Sequence, residues 1–169
     1  MSRVDLPGEG TGTAPDSAHY RTVLGHFASG VVVVTGATDG GPCGFTCQSF
    51  FAASLDPQLV VISPSLSSTS WPQVQRSGAF CANILTEEQE AMSRAFAVSG
   101  GDKFGGVGWR PGATGSPIIS DVLAWVDCRI ETTHEAGDHL LVVGRVVDMG
   151  HAHGSPLLFY RGGFGGFSS

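Results

Sequence analysis

Apolar and polar positions change period several times along the chain. Between 18 and 27, Tyr20, Val23, Leu24 and Phe27 stand at i, i+3, i+4 and i+7. That spacing predicts an amphipathic helix capped by Asp16 or Ser17 and ending between Gly25 and Gly30. The pattern then shifts to short runs rich in Val, Ile, Phe and Thr over 31–35, 44–54, 59–63 and 80–85. Bounded by Gly, Pro, Asp and Ser, such runs predict strands. Asp39-Gly40-Gly41 suits a hairpin turn between the first two, and Asp56-Pro57 separates the second from the third.

A second helix is expected to start at Ser70, a favoured cap, with Pro72 in the first turn, where a missing N–H costs nothing. Thr86-Glu87-Glu88-Gln89 has the form of a capping box and predicts a third helix reaching Phe96. Residues 97–120 are rich in Gly and Pro and read as loop with at most one short helical turn. The runs 123–133 and 139–149 flank Glu135-Ala136-Gly137-Asp138 and predict a long antiparallel hairpin, and 156–161 a last short strand. Residues 1–17 lack periodicity and read as a flexible arm, leaving 18–169 as the folded domain. Hairpin-connected strands with few helices argue for a mainly β barrel with peripheral helices. The regular strand–helix alternation of a parallel dinucleotide-binding sheet is absent.

Composition narrows the class. A chain of 169 residues suits one domain. Its 41% hydrophobic and 14% charged content leads us to expect that a second copy covers part of the surface, as a homodimer. The net charge is -6 and the nine basic residues are scattered singly, which argues against nucleic acid as a partner. The N-terminal stretch has no apolar signal region and no run is long enough to span a membrane, so a soluble, cytoplasmic protein is expected. Cys43, Cys47, Cys81 and Cys128 lack C-x-x-C spacing and sit in apolar segments, so neither disulfide nor metal site is expected.

The densest chemistry lies in SPSLSSTSWP, residues 63–72, with six hydroxyl side chains over positions 63–70. Hydroxyls and unpaired N–H groups ahead of a helix can hold a phosphate; an ordinary serine-rich loop has the same composition. Gly44-Phe45-Thr46-Cys47-Gln48-Ser49-Phe50 places polar groups in a strand, where either neighbouring strands or a ligand rich in heteroatoms must satisfy them. His139 opens a strand after Gly137-Asp138, where it could reach a pocket mouth or be an ordinary hairpin residue. Lys103, the only lysine, stands in a glycine-rich stretch. His151 and His153 have no third ligand nearby and read as a solvated turn. Tyr160-Arg161-Gly162 sets one cation on a pliable backbone near the end of the chain, fit for an anionic ligand or for a fraying tail. No nucleophile elbow, dinucleotide fingerprint or P-loop is present.

In order along the chain, these segments resemble the short-chain flavin reductase family, whose members reduce free flavin with NAD(P)H on a Greek-key split β-barrel, the FMN-binding split-barrel fold. The resemblance covers about 19–167. It implies that Thr46, Cys47, Gln48 and Ser49 line the flavin ring and that Ser63, Pro64 and Ser65 follow the ribityl chain. It implies further that Thr69 and Ser70 reach the phosphate and that Ala95, Phe96, Lys103 and Phe104 close the site. Pro42, Cys43, Gly44, Phe45, His139, Phe159, Tyr160, Arg161 and Gly162 would hold the nicotinamide nucleotide, with His139 positioning the nicotinamide or transferring a proton. FAD or FMN, NADH (favoured) or NADPH, and a partner monooxygenase supplied by diffusing reduced flavin follow from the same resemblance. The chain departs from relatives in having no basic residue near Leu66 or Thr69, which leaves FMN against FAD open. A non-catalytic flavin carrier on the same barrel is the alternative. An oxidase of the pyridoxamine-phosphate type ranks lower, for want of a basic cluster to take a second phosphate.

Overall fold

The computed structural model describes residues 16–167, so most of the expected arm lies outside the described residues. Helix α1 (Ser17–Leu24) begins at Asp16, whose carboxylate accepts the N–H groups of Ala18 and His19 at 2.9 Å. Then follow strands β1 (Ser29–Gly30), β2 (Val32–Thr38), β3 (Gly41–Cys47), β4 (Phe50–Leu55) and β5 (Gln58–Ile62). Helix α2 (Trp71–Arg76) leads to β6 (Ala79–Ile84), and a 3-10 turn at Glu87–Gln89 leads into α3 (Glu90–Ala97). Strands β7 (Trp109–Pro111), β8 (Pro117–Ile119), β9 (Ala124–Ala136), β10 (His139–His151), β11 (Leu158–Tyr160) and β12 (Gly163–Gly165) complete the chain.

Seven antiparallel strands form one sheet in the order β3-β2-β6-β9-β10-β5-β4, with the long β9–β10 hairpin at its middle. Its two edges, β3 and β4, are neighbours in sequence, so the sheet wraps into a barrel that is split at one seam. Inward residues Val32, Val34, Ile62, Phe80, Ala82, Cys128 and Val142 fill the barrel, with Trp71 and Val74 of α2 closing one end. On the opposite face of β2, Val31 and Val33 meet Leu85, Phe96, Ile119 and Leu157 in a second core. Burial on both faces explains the unbroken valine run Val31–Val34, since successive strand residues point to opposite sides. Gly144 faces the Phe80 ring so closely that a Cβ there would come within 2.6 Å of it.

Three expectations are corrected. The run 44–54 is two strands, because Ser49 turns its hydroxyl to the backbone of Ser63. Oγ accepts the Ser63 N–H and donates to the Ser63 carbonyl, both at 3.1 Å, in place of a strand ladder. The stretch 97–120 is more than loop: β8 is pinned by buried Asn83, whose Oδ1 accepts the Ile119 N–H at 2.8 Å, and by Thr35 Oγ1, which donates to Pro117 O at 2.5 Å. The glycine-rich end, which could have been a fraying tail, turns at Arg161-Gly162 and pairs as β12 against β11.

Helix α1 has the predicted period but buries none of its residues; Phe27, just beyond it, is 82% exposed. All four cysteines are buried and free, and burial pushes the Cys128 thiol up to about 12. No helix among the described residues is long and apolar enough to cross a membrane.

Candidate functional site

The split in the barrel opens a cleft of about 520 Å³. One wall is the seam, from Phe45 to Ser49; the other is the loop from Ser63 to Ser70. Phe96 and Ala97 of α3, Ser99, Lys103 and His139 complete the lining. The loop is stitched to the tip of the long hairpin: the Leu66 N–H donates to Asp138 O and the Leu140 N–H to Pro64 O, each at 2.9 Å, around a bridge between Ser65 and His139. This pairing carries His139 into the cleft although 69 or more positions separate it from the loop's end at Ser70. His139 Nδ1 lies 2.7 Å from Asp138 Oδ1. That bond holds the Asp138 carboxyl below its usual range. An ionised carboxylate can only accept, so Nδ1 donates in this bond and Nε2 is the ring nitrogen left for a further partner.

Not every hydroxyl in the cleft is free to serve a ligand. Thr46 Oγ1 donates to Ser93 O at 2.5 Å, and Ser49 is committed to Ser63. Ser68 Oγ, rather than the expected Ser70, accepts the Trp71 N–H at the start of α2, at 3.1 Å. Ser70 Oγ accepts from Lys103 Nζ instead. Ser65 and Ser67 bond to each other at 2.8 Å, so one of those two hydroxyl protons is spent. Among the described residues, no protein acceptor takes the backbone N–H of Thr69 or Ser70, nor any donor or acceptor the side-chain amide of Gln48. Cys47 is buried beside Ser49, and desolvation pushes its thiol up, so it remains protonated. The donors left over are neutral hydroxyls, two backbone N–H groups and one amide. That set fits a polyhydroxylated, phosphorylated ligand carrying a ring with polar edges.

A second cleft, of about 670 Å³, lies on the other side of Gln48, which borders both. Its lining joins Tyr20, Arg21, Thr22, Leu24, Gly25 and Phe27 to Phe159, Arg161 and Gly162. The Arg161 N–H donates to Gly25 O at 3.0 Å, and the turn needs positive φ at both Arg161 (50°) and Gly162 (84°). Two arginines thus line this cleft where the first is lined by hydroxyl residues.

The residues expected to hold a nicotinamide nucleotide are thus distributed over three places. Phe45 and His139 lie in the first cleft, and Phe159, Arg161 and Gly162 in the second. Pro42, Cys43 and Gly44 border a third, of about 350 Å³, with Phe104, beyond Lys103. Tyr160 lines none of them and stands edge-on to His26 at 6.4 Å. Among the flavin residues, Ala95 points away from buried Phe96 on the exposed side of α3, and Ala97 and Ser99 take its place on the wall. Sequence reasoning missed α1 as a wall. The available signal was Arg21, a cation next to an apolar stripe on a helix of two turns.

The split barrel thus carries a hydroxyl-rich cleft at its seam beside a second cleft lined by two arginines. Comparison with known proteins shows the family. The flavin reductase like domain model matches residues 24–168. The reductase subunit HsaB of a flavin-dependent monooxygenase from Rhodococcus jostii is 44% identical over 167 residues, 98% of this chain and 86% of that protein. The FMN reductase (NADH) SmoA of Agrobacterium fabrum is 40% identical over 153 residues, covering 90% and 87%. A crystal structure of a nitrilotriacetate monooxygenase component B homologue from Mycobacterium thermoresistibile matches with a TM-score of 0.87 at 45% identity, covering 89% of this chain and 86% of that one. The chain belongs to the flavin reductase-like family.

Proposed function

We propose that this chain is an NAD(P)H:flavin oxidoreductase, with NADH favoured, that releases reduced FMN or FAD to a separate flavin-dependent monooxygenase. The observation that carries the reading is the meeting of two unlike clefts at Gln48. Bound in the first, flavin supplies the redox chemistry as acceptor of a hydride from the reduced nicotinamide. The protein's part is positioning. The free N–H groups of Thr69 and Ser70, with the hydroxyls of the 65–70 loop, hold the phosphate, and Gln48 meets the ring's polar edge. Arg21 and Arg161 pair with the pyrophosphate of the nicotinamide nucleotide. His139 offers Nε2 in the cleft, with its other ring nitrogen held by Asp138.

A non-catalytic carrier would have no use for the arginine cleft, which favours the reductase. The deciding assay follows NADH and NADPH oxidation with and without FMN, FAD or riboflavin. Flavin-dependent oxidation is expected, faster with NADH; no oxidation under any condition sinks the reading. A cytoplasmic homodimer completes the proposal. Phe51, Val61 and Val143 stand in one cross-strand row with Leu141 on the same face, and Phe51 is 54% and Leu141 41% exposed. Sedimentation at the monomer mass would remove the dimer.

A further inference from the structure

Lys103 is the chain's only lysine, and its ammonium has no donor to spare. Nζ lies 3.0 Å from Phe96 O at the end of α3, 3.1 Å from Gly44 O in β3, and 3.3 Å from Ser70 Oγ at the start of α2. An ammonium has three N–H donors and accepts nothing, so each donor has one protein acceptor. Desolvation lowers its pKa from the ordinary lysine value, as expected for a cation drawn partly out of water.

The direction of the third bond settles the orientation of a hydroxyl. Lysine can only donate, so Ser70 Oγ is the acceptor and its own proton points elsewhere. Among the described residues no protein acceptor takes that proton, although Ser70 is only 8% exposed and borders the first cleft. A buried donor without a partner is costly unless a ligand completes the bond.

We propose that Lys103 is a positioning residue for the flavin phosphate that acts through Ser70: it turns the Ser70 hydroxyl into a donor aimed at the bound phosphate and never touches the phosphate itself. The proposal rests on the first cleft being the flavin site. Polarisation by the ammonium strengthens the O–H as a donor, so a cradle with neutral contacts feels a cation at one remove. The same three bonds tie β3, α2 and α3 together behind the cleft, which keeps Ser70 from turning.

The test is a double-mutant cycle. Dissociation constants for FMN and for riboflavin, which lacks the phosphate, are measured by flavin fluorescence quenching. The proteins are the wild type, Ser70→Ala, Lys103→Met and the double variant. Each single substitution is expected to weaken FMN binding about tenfold, the double variant no more than either alone, and riboflavin binding is expected to change less than about twofold. Additive losses in the double variant would mean that Lys103 reaches the phosphate by itself, and equal losses for both flavins would mean that it merely supports the fold. Either result overturns the proposal. Should Lys103→Met fail to fold, as its melting curve would show, Ser70→Ala alone decides: an unchanged ratio of FMN to riboflavin affinity overturns it. A folded wild type that binds neither flavin removes the flavin-site reading itself, and that outcome is separate from any behaviour of the variants.

Discussion

The two clefts that meet at Gln48 are built on opposite plans. The first is neutral and fastened to the cores. Ser49 is bonded to Ser63, Thr46 to Ser93, and the 63–70 loop to the tip of the β9–β10 hairpin. Its one nearby cation, Lys103, is already spent on protein acceptors. The second is charged and stands on lightly anchored elements: α1 has no buried residue, and Arg161 sits in an exposed turn. Rigidity without charge holds shape but binds an anion moderately, whereas exposed guanidinium groups attract anions strongly only while salt is low. The pairing suits a protein that must release one ligand intact after each encounter with the other.

The largest effect is expected where the shared frame breaks. In Gly144→Ala the new methyl would meet the Phe80 ring at 2.6–2.7 Å. Phe80 is fully buried at the barrel centre, so the core must shift, at about 1–3 kcal/mol or more. Urea unfolding should show that loss, with flavin and NADH affinity falling together; a neutral substitution would mean that the barrel beneath the clefts is soft.

The next substitution separates the clefts. Arg21→Ala with Arg161→Ala should raise KM for NADH about tenfold at low ionic strength and flatten its dependence on salt. Flavin affinity should change little. Equal losses for the two ligands would mean that the arginines serve one common site and would erase the contrast.

A smaller effect tests the seam. Ser49→Ala leaves the Ser63 N–H and carbonyl without their partner and should cost about 1–2 kcal/mol. Flavin binding should weaken more than NADH binding, because Ser63 opens the loop that lines the first cleft. Unchanged flavin affinity in a destabilised protein would limit Ser49 to a structural role.

The contrast between the clefts also marks what could be read in the residues alone. Short-range devices were legible: the Asp39-Gly40-Gly41 turn, where Gly41 has φ 107°, and the Gly137 turn of the long hairpin, at φ 65°. The hydroxyl-rich loop was legible as a polar stretch ahead of a helix, but its composition suited an ordinary serine-rich loop at least as well, and only the family resemblance pointed to a phosphate. Features that depend on distant partners were hidden. Lys103 takes meaning from acceptors 7, 33 and 59 positions away, and β8 from Asn83, 36 positions before Ile119. The break at Gln48-Ser49 was invisible because apolar residues continue on both sides of it, and only the approach of Ser63 gives Ser49 a reason to leave the ladder. Helix α1 shows the reverse error: its period was right, but an apolar stripe of two turns can face a ligand cleft as well as a core.

The smallest expected effect concerns the pair of His139 and Asp138 at the mouth of the first cleft. Asp138 is fully exposed, and its carboxyl is held below 3.8 chiefly by the hydrogen bond to His139 and then by the charge of the ring. A depressed carboxyl pKa adds stability that is complete above the unfolded value and is lost as pH falls through the folded value. The melting temperature of the wild type should therefore exceed that of Asp138→Asn by a small margin at pH 5, and the margin should close as pH falls below about 4. Activity offers the sharper readout. Asn keeps an acceptor for the Nδ1 hydrogen but removes the carboxylate charge, so kcat/KM for NADH should hold if Asp138 only orients the ring and fall if the charge itself matters. His139→Ala with unchanged turnover and an unchanged KM for NADH would take the residue out of the site and leave the first cleft without any titrating group of its own beyond Cys47 and Lys103, both already committed to the protein.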